Sequence, residues 1–183
     1  MNAAPGLIVW ITGPPASGKT TLARLLVGRL RAEGAACLWL DSDDLRGVLT
    51  PAPAYSDAER DWFYGVVAHV ARLGALGGAA VVISATGSRA AYRERLRGQV
   101  ARFVEVALRC DPETLRSRDP KGLYAAADAG RITGLPGHGA PYEESGAAEI
   151  LLDASHAPPE ELLEKVLASP WIRTPASRGP GSA

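Results

Sequence analysis

The chain has 183 residues, with 20 Lys and Arg against 20 Asp and Glu, and 46% of its residues are hydrophobic. That length fits one domain with a sizeable core. The even charge balance excludes the broad cationic field that a nucleic-acid backbone or an anionic membrane requires, so any anion site must be local.

The first strand is reached within a few residues of Met1, without a basic leader or a long apolar segment, so neither a signal peptide nor a membrane span is expected. That strand is the apolar run from Leu7 to Ile11. It leads into Gly13-Pro14-Pro15-Ala16-Ser17-Gly18-Lys19-Thr20, with Thr21 opening a helix behind it. Strand, glycine-bounded loop and helix are the context that a G-x-x-x-x-G-K-[ST] phosphate loop requires. Backbone N–H groups and the positive end of the helix make an anion cradle, Lys19 reaches the outer phosphates and Thr20 can ligate Mg2+. A nucleoside triphosphate is the expected ligand.

Leucines at 22, 25, 26 and 30 recur at helical spacing until Gly34. The run from Ala35 to Leu40 then ends in Asp41-Ser42-Asp43-Asp44, as expected of a strand covered on both faces, with its acids at the carboxyl edge where α/β sheets bind ligands. One or two of these acids could instead cap the next helix. Ser56 to Glu59 is a capping-box pattern for a long helix to about Gly77. Within it Trp62-Phe63-Tyr64 reads mainly as core packing, with a substrate wall as the minor alternative.

A third strand, Ala79 to Ser84, carries no acid at its end, so Asp41 or Asp43 must direct any magnesium unless Thr20 and water suffice. The arginines from Arg89 to Arg97 read as a solvated, salt-bridged helix, with Arg89 the one nearest the pocket. Phe103 to Cys110 is a fourth strand, and Asp111-Pro112 caps the next helix. From about 119 to 145 the chain is rich in Gly and Pro, which predicts a mobile lid or a disordered loop; a lid suits phosphoryl transfer, which must exclude water. A fifth strand covers Glu149 to Asp153, and a closing helix follows. Cys37 and Cys110 read as reduced core thiols, consistent with a cytoplasmic protein. The reading is an α/β, three-layer P-loop kinase fold: a five-stranded parallel sheet flanked by helices in a single domain over 1–170, with a disordered tail over 171–183.

Leu40-Asp41-Ser42-Asp43-Asp44-Leu45-Arg46, Tyr55-Ser56-Asp57-Ala58-Glu59-Arg60, Arg118-Asp119-Pro120-Lys121-Gly122-Leu123-Tyr124 and Ala140-Pro141-Tyr142-Glu143, in this order behind the phosphate loop, resemble the adenylylsulfate (APS) kinase family. The resemblance implies an ATP- and Mg2+-dependent enzyme, commonly a homodimer, that moves the ATP γ-phosphate to the 3′-hydroxyl of APS to give PAPS. It implies Asp41 as the acid that orients or deprotonates the acceptor hydroxyl, Asp43 as its metal-side neighbour, and Arg46 and Arg60 as holders of the APS sulfate and phosphate. It places Tyr55 against the substrate adenine, Lys121 near the transferred phosphate, and Arg118 against the ATP base.

The chain also departs from the family. Ser42 and Asp44 replace a Gly and an Asn, and Trp62 to Gly65 replace a Glu-Asn-x-Arg stretch that holds APS. Leu135 stands for an aromatic lid residue, and Thr86 occupies a hydroxyl position after the third strand. Two acceptors are therefore expected: APS, or another hydroxyl compound in a more apolar pocket walled by Tyr55, Trp62, Phe63 and Leu135. A nucleotide-binding module without turnover ranks third.

Overall fold

The computed structural model describes residues 5–172. In chain order the elements are β1 (Ile8–Thr12), α1 (Lys19–Ala32), β2 (Cys37–Asp41), α2 (Ser42–Leu49), α3 (Asp57–Leu76), β3 (Ala80–Ser84) and α4 (Ala90–Arg97). There follow β4 (Phe103–Arg109), α5 (Pro112–Arg118), α6 (Leu123–Asp128), β5 (Leu135–Pro136), β6 (Gly139–Ala140), β7 (Ile150–Asp153) and α7 (Pro159–Ala168).

Five strands form one parallel sheet in the order β2-β3-β1-β4-β7. β1 is central and buried along its whole length, in keeping with its apolar run from Ile8 to Ile11. Because successive side chains of a strand point to opposite faces, Val9 and Ile11 join a core with α1 and α7, including Leu22, Leu26 and Leu163. Ile8 and Trp10 face the other way and pack with Phe63, Val67, Tyr92 and Leu96 of α3 and α4. Two helical layers thus enclose the sheet. The α1-side core also takes in Ile172, at 5% exposure, so packing continues to the last described residue. The rest of the tail expected to be disordered, 173–183, lies outside the described residues.

The helix starts read from sequence have local causes. Ser56 Oγ accepts the Glu59 backbone N–H at 3.2 Å, and the Asp111 carboxylate accepts the Thr114 N–H and hydroxyl, both at 2.8 Å. The arginine helix departs from its expectation. Arg93 is buried, with its Nε 2.7 Å from Glu105 of β4, which is itself fully buried. Arg97 reaches the same carboxylate at 3.2 Å and also pairs with Glu149. Arg89 pairs with Asp57 at 2.6 Å, away from the pocket.

Within 119–145 the chain forms α6 and the short parallel pair β5–β6. Asp119 accepts the Leu123 N–H at 2.8 Å and the Ala125 N–H at 3.1 Å, fixing the start of α6. Leu115, Tyr124 and Leu135 form a small apolar cluster beneath it.

Candidate active site

The carboxyl ends of β1, β2 and β3 supply one floor. Past β1, Gly13 lies so close to the chain that a Cβ there would meet Ser17 Oγ at 2.6 Å and the Leu108 carbonyl oxygen at 2.9 Å. Ala16 has a φ of 63°, a left-handed conformation unusual for a residue with a side chain, and Gly18, with φ 92°, starts α1. The loop is bent into a cradle at the amino end of a helix, the geometry that binds phosphate. Ser17 is buried with its hydroxyl unpartnered among the described residues. Lys19 Nζ folds back onto the Pro14 carbonyl at 2.7 Å. Burial lowers the Lys19 amine to about 8, against the opposing pull of Asp43 and Asp41.

Asp41 and Ser84 are register partners on β2 and β3. Ser84 Oγ donates to Asp41 Oδ2 at 2.7 Å, and Thr20 Oγ1 donates to the same oxygen at 2.9 Å. The other oxygen accepts the Asp43 N–H at 2.9 Å and caps α2. Trp39 Nε1 donates to Ser84 Oγ at 2.9 Å, completing a chain from the edge strand to the phosphate loop. Asp41 is therefore the helix cap that the sequence allowed for one of these acids, and it also holds the phosphate-loop threonine.

A cavity of about 720 Å³ runs over this floor. Its wall includes Pro15, Ala16, Ser17, Gly18, Lys19, Thr20 and Thr21, and also Asp43, Arg46, Tyr55, Arg60, Thr86, Arg118, Lys121 and Leu135. Gly13, Pro14 and the buried Asp41 lie outside that wall and shape it from behind. Lys121 Nζ is ion-paired with Asp43 across the cleft. Arg118 donates to the carbonyls of Ala154 and Ser155 at 2.8 and 2.9 Å, which fixes its guanidinium at the turn between β7 and α7.

On the opposite side Arg46 is tethered to Glu59 Oε1 at 3.2 Å, and Glu59 Oε2 also holds the Ala54 N–H at 2.6 Å. Glu59 thus steadies the approach to Tyr55, which has a φ of 53°. Sequence reasoning gave Glu59 only a capping role. Arg60 donates to the Tyr55 carbonyl at 3.0 Å and to the Gly134 carbonyl at 3.4 Å, linking α3 to the 119–145 stretch.

Phe63 is fully buried in the core, in keeping with the main reading of its aromatic run, and so does not line the apolar acceptor wall that was also expected of it. The Arg46 guanidinium lies 4.0 Å from its ring centroid, so Phe63 supports the wall from behind as a cation–π platform. The turn of α3 that takes Phe63 inward brings Tyr64, read as core packing, to the cavity wall. Trp62 is half exposed outside the wall. Among the described residues no cluster of His, Cys, Asp or Glu has the form of a metal centre, and no helix is long and apolar enough to cross a membrane.

The parallel sheet, the phosphate loop at its central strand and the acid on β2 define a P-loop kinase fold. A family model described as adenylylsulphate kinase matches residues 5–153. The chain is 37% identical over 162 residues to a probable adenylyl-sulfate kinase of Pyrococcus abyssi, covering 88% of this chain and 93% of that one. It is 40% identical over 146 residues to a probable adenylyl-sulfate kinase of Archaeoglobus fulgidus, covering 80% and 94%. The Mycobacterium tuberculosis APS kinase solved with AMPPNP and APS superposes with a TM-score of 0.83 at 32% identity, over 89% of this chain and 96% of that one. The chain belongs to the adenylylsulfate kinase family.

Proposed function

We propose that this protein is an ATP- and Mg2+-dependent kinase that transfers the γ-phosphoryl group of ATP to the 3′-hydroxyl of APS, giving PAPS and ADP. The observation that carries this reading is the single cavity in which a phosphate cradle faces Asp43, Arg46, Arg60 and Lys121.

The loop backbone and Lys19 hold the β- and γ-phosphates, and Arg118 lies against the adenine. Thr20, oriented by Asp41, is the ligand offered to Mg2+; this hydroxyl–carboxylate pair suits a hard cation that binds mainly to phosphate oxygens. When bound, the ion neutralises charge on the triphosphate. Arg46 and Arg60 hold the phosphosulfate, and Tyr55 and Leu135 bracket the acceptor base. Lys121 leaves Asp43 for the transferring phosphoryl group, which it stabilises as charge develops. The 3′-oxygen forms a bond to the γ-phosphorus as the bond to the β,γ-bridging oxygen breaks, and ADP departs with that electron pair. Both Asp41 oxygens already accept hydrogen bonds, so Asp43, freed by Lys121, takes the hydroxyl proton while Asp41 orients the metal side. Residues 119–145 act as the lid that excludes water.

We further assign a homodimer in the cytoplasm. The exposed Trp62, Leu73 and Leu76 share one side of α3 and offer an apolar face for a second copy, which sedimentation of the purified protein measures. The assay for the reaction is PAPS and ADP formation from ATP, Mg2+ and APS. An inert APS with turnover of another alcohol would replace the acceptor, and ATP binding without turnover on any alcohol would leave a binding module.

A further inference from the structure

Tyr64 reaches the active-site cavity with its ring held on several sides. It stacks on Tyr92 at a centroid distance of 4.4 Å and on Trp10 at 6.0 Å, and meets Phe63 edge-on at 5.3 Å. Its hydroxyl oxygen accepts the Gly87 N–H at 3.0 Å. That bond uses the oxygen as an acceptor, and among the described residues no acceptor takes the phenolic proton. The residue is 5% exposed and lines the cavity together with Arg46, Arg60 and Thr86.

We infer that the Tyr64 hydroxyl donates a hydrogen bond to an anionic oxygen of the acceptor's phosphosulfate, beside Arg46, and so helps set the affinity for APS. This rests on the reading of the protein as an APS kinase. A phenol is suited to the task, because it gives a directed donor at a fixed place without adding charge. Burial raises its pKa, with the Gly87 N–H and the charges of Arg46 and Arg60 acting the other way, so it is protonated at neutral pH. The stacked rings set its direction before substrate arrives, which reduces the ordering that binding must supply.

Tyr64→Phe keeps the ring and removes the donor. The KM for APS should rise about tenfold, the effect of one hydrogen bond to a charged group, while kcat and the KM for ATP stay within about twofold. Loss of the Gly87 contact could lower stability, so a second variant separates donation from packing. Trifluorotyrosine in place of Tyr64 has a more acidic phenol. Its ionised form still accepts from Gly87 but cannot donate, so the KM for APS should climb across the pH range in which ultraviolet absorbance shows this phenol ionising and stay flat in wild type over the same range, after correction for ATP binding. An unchanged KM for APS in Tyr64→Phe, or a flat profile for the fluorinated protein, overturns the inference. A wild type that neither binds nor phosphorylates APS overturns it together with the functional reading, and is told apart because the unsubstituted protein already fails.

Discussion

Thr20 Oγ1 donates to Asp41 Oδ2 across 2.9 Å, joining the phosphate loop to the end of a strand that is not its neighbour in the sheet. The same carboxylate holds Ser84 and the Asp43 N–H. Asp41→Asn replaces one acceptor oxygen by a donor, so at least one of these groups loses its partner. Turnover should fall by about a hundredfold or more, because placement of the metal ligand matters most in the transition state. ATP affinity, assigned above to the loop backbone and Lys19, should change by no more than about threefold. Asp43→Asn should lose turnover to a similar extent while keeping its Mg2+ dependence. Steady-state kinetics over a Mg2+ series and calorimetric ATP titration check both variants, and full activity in Asp41→Asn would remove it from the site.

Lys19 provides a pH test. Burial lowers its amine to about 8, and the ammonium is the form that attracts phosphate. Below that value the charge is present and the Kd for ATP should be flat with respect to this group. Above it the free protein must take up a proton to bind, so the Kd should weaken by up to about tenfold per pH unit, since bound phosphates raise the amine again. Calorimetry at pH 8.5 in two buffers of different ionisation enthalpy reads the proton uptake directly. Uptake that persists unchanged in Lys19→Met would assign the proton to another group.

Arg93 and Glu105 form an ion pair in the core between α4 and β4, with Arg97 on the second carboxylate oxygen. Arg93 also donates to the Glu143 carbonyl at 3.0 Å, tying the end of the 119–145 stretch to the turn after β3. Glu105→Leu leaves a buried guanidinium without its counter-charge, a loss of about 3–5 kcal/mol. The melting temperature should drop by roughly 10 °C for a chain of this size. Adding Arg93→Met removes the stranded charge and should recover part of the loss. Thermal melts of both variants test this; a single variant that melts like wild type would mean that water reaches the pair.

The parts legible in the sequence are those whose cause is local. The phosphate loop is set by glycines and a proline pair between an apolar strand and a helix, and the caps at Ser56 and Asp111 satisfy helix N–H groups within three residues. Arg46, Arg60 and Lys121, which line one cavity, could be grouped only through family resemblance, because their spacing in the chain carries no such information. Phe63 and Tyr64 show the limit of local reading. Neighbouring helix residues differ by about 100° in direction, and a bulky aromatic run gives no sign of which ring meets the core. Arg93 shows the same limit for charge: an arginine in a polar helix reads as solvated until its partner, Glu105 on another element, is known.

The sequence by itself determined a parallel α/β sheet, a triphosphate loop at its first strand and an acidic end on its second, because backbone periodicity, glycine conformation and strand burial act over a few residues. Tertiary structure decided that β3 lies between those two strands and brings Ser84 to Asp41, that Tyr64 rather than Phe63 faces the cavity, and that Arg93 is buried. Each of these depends on which distant surfaces meet when the apolar faces pack, a choice made by the whole core at once.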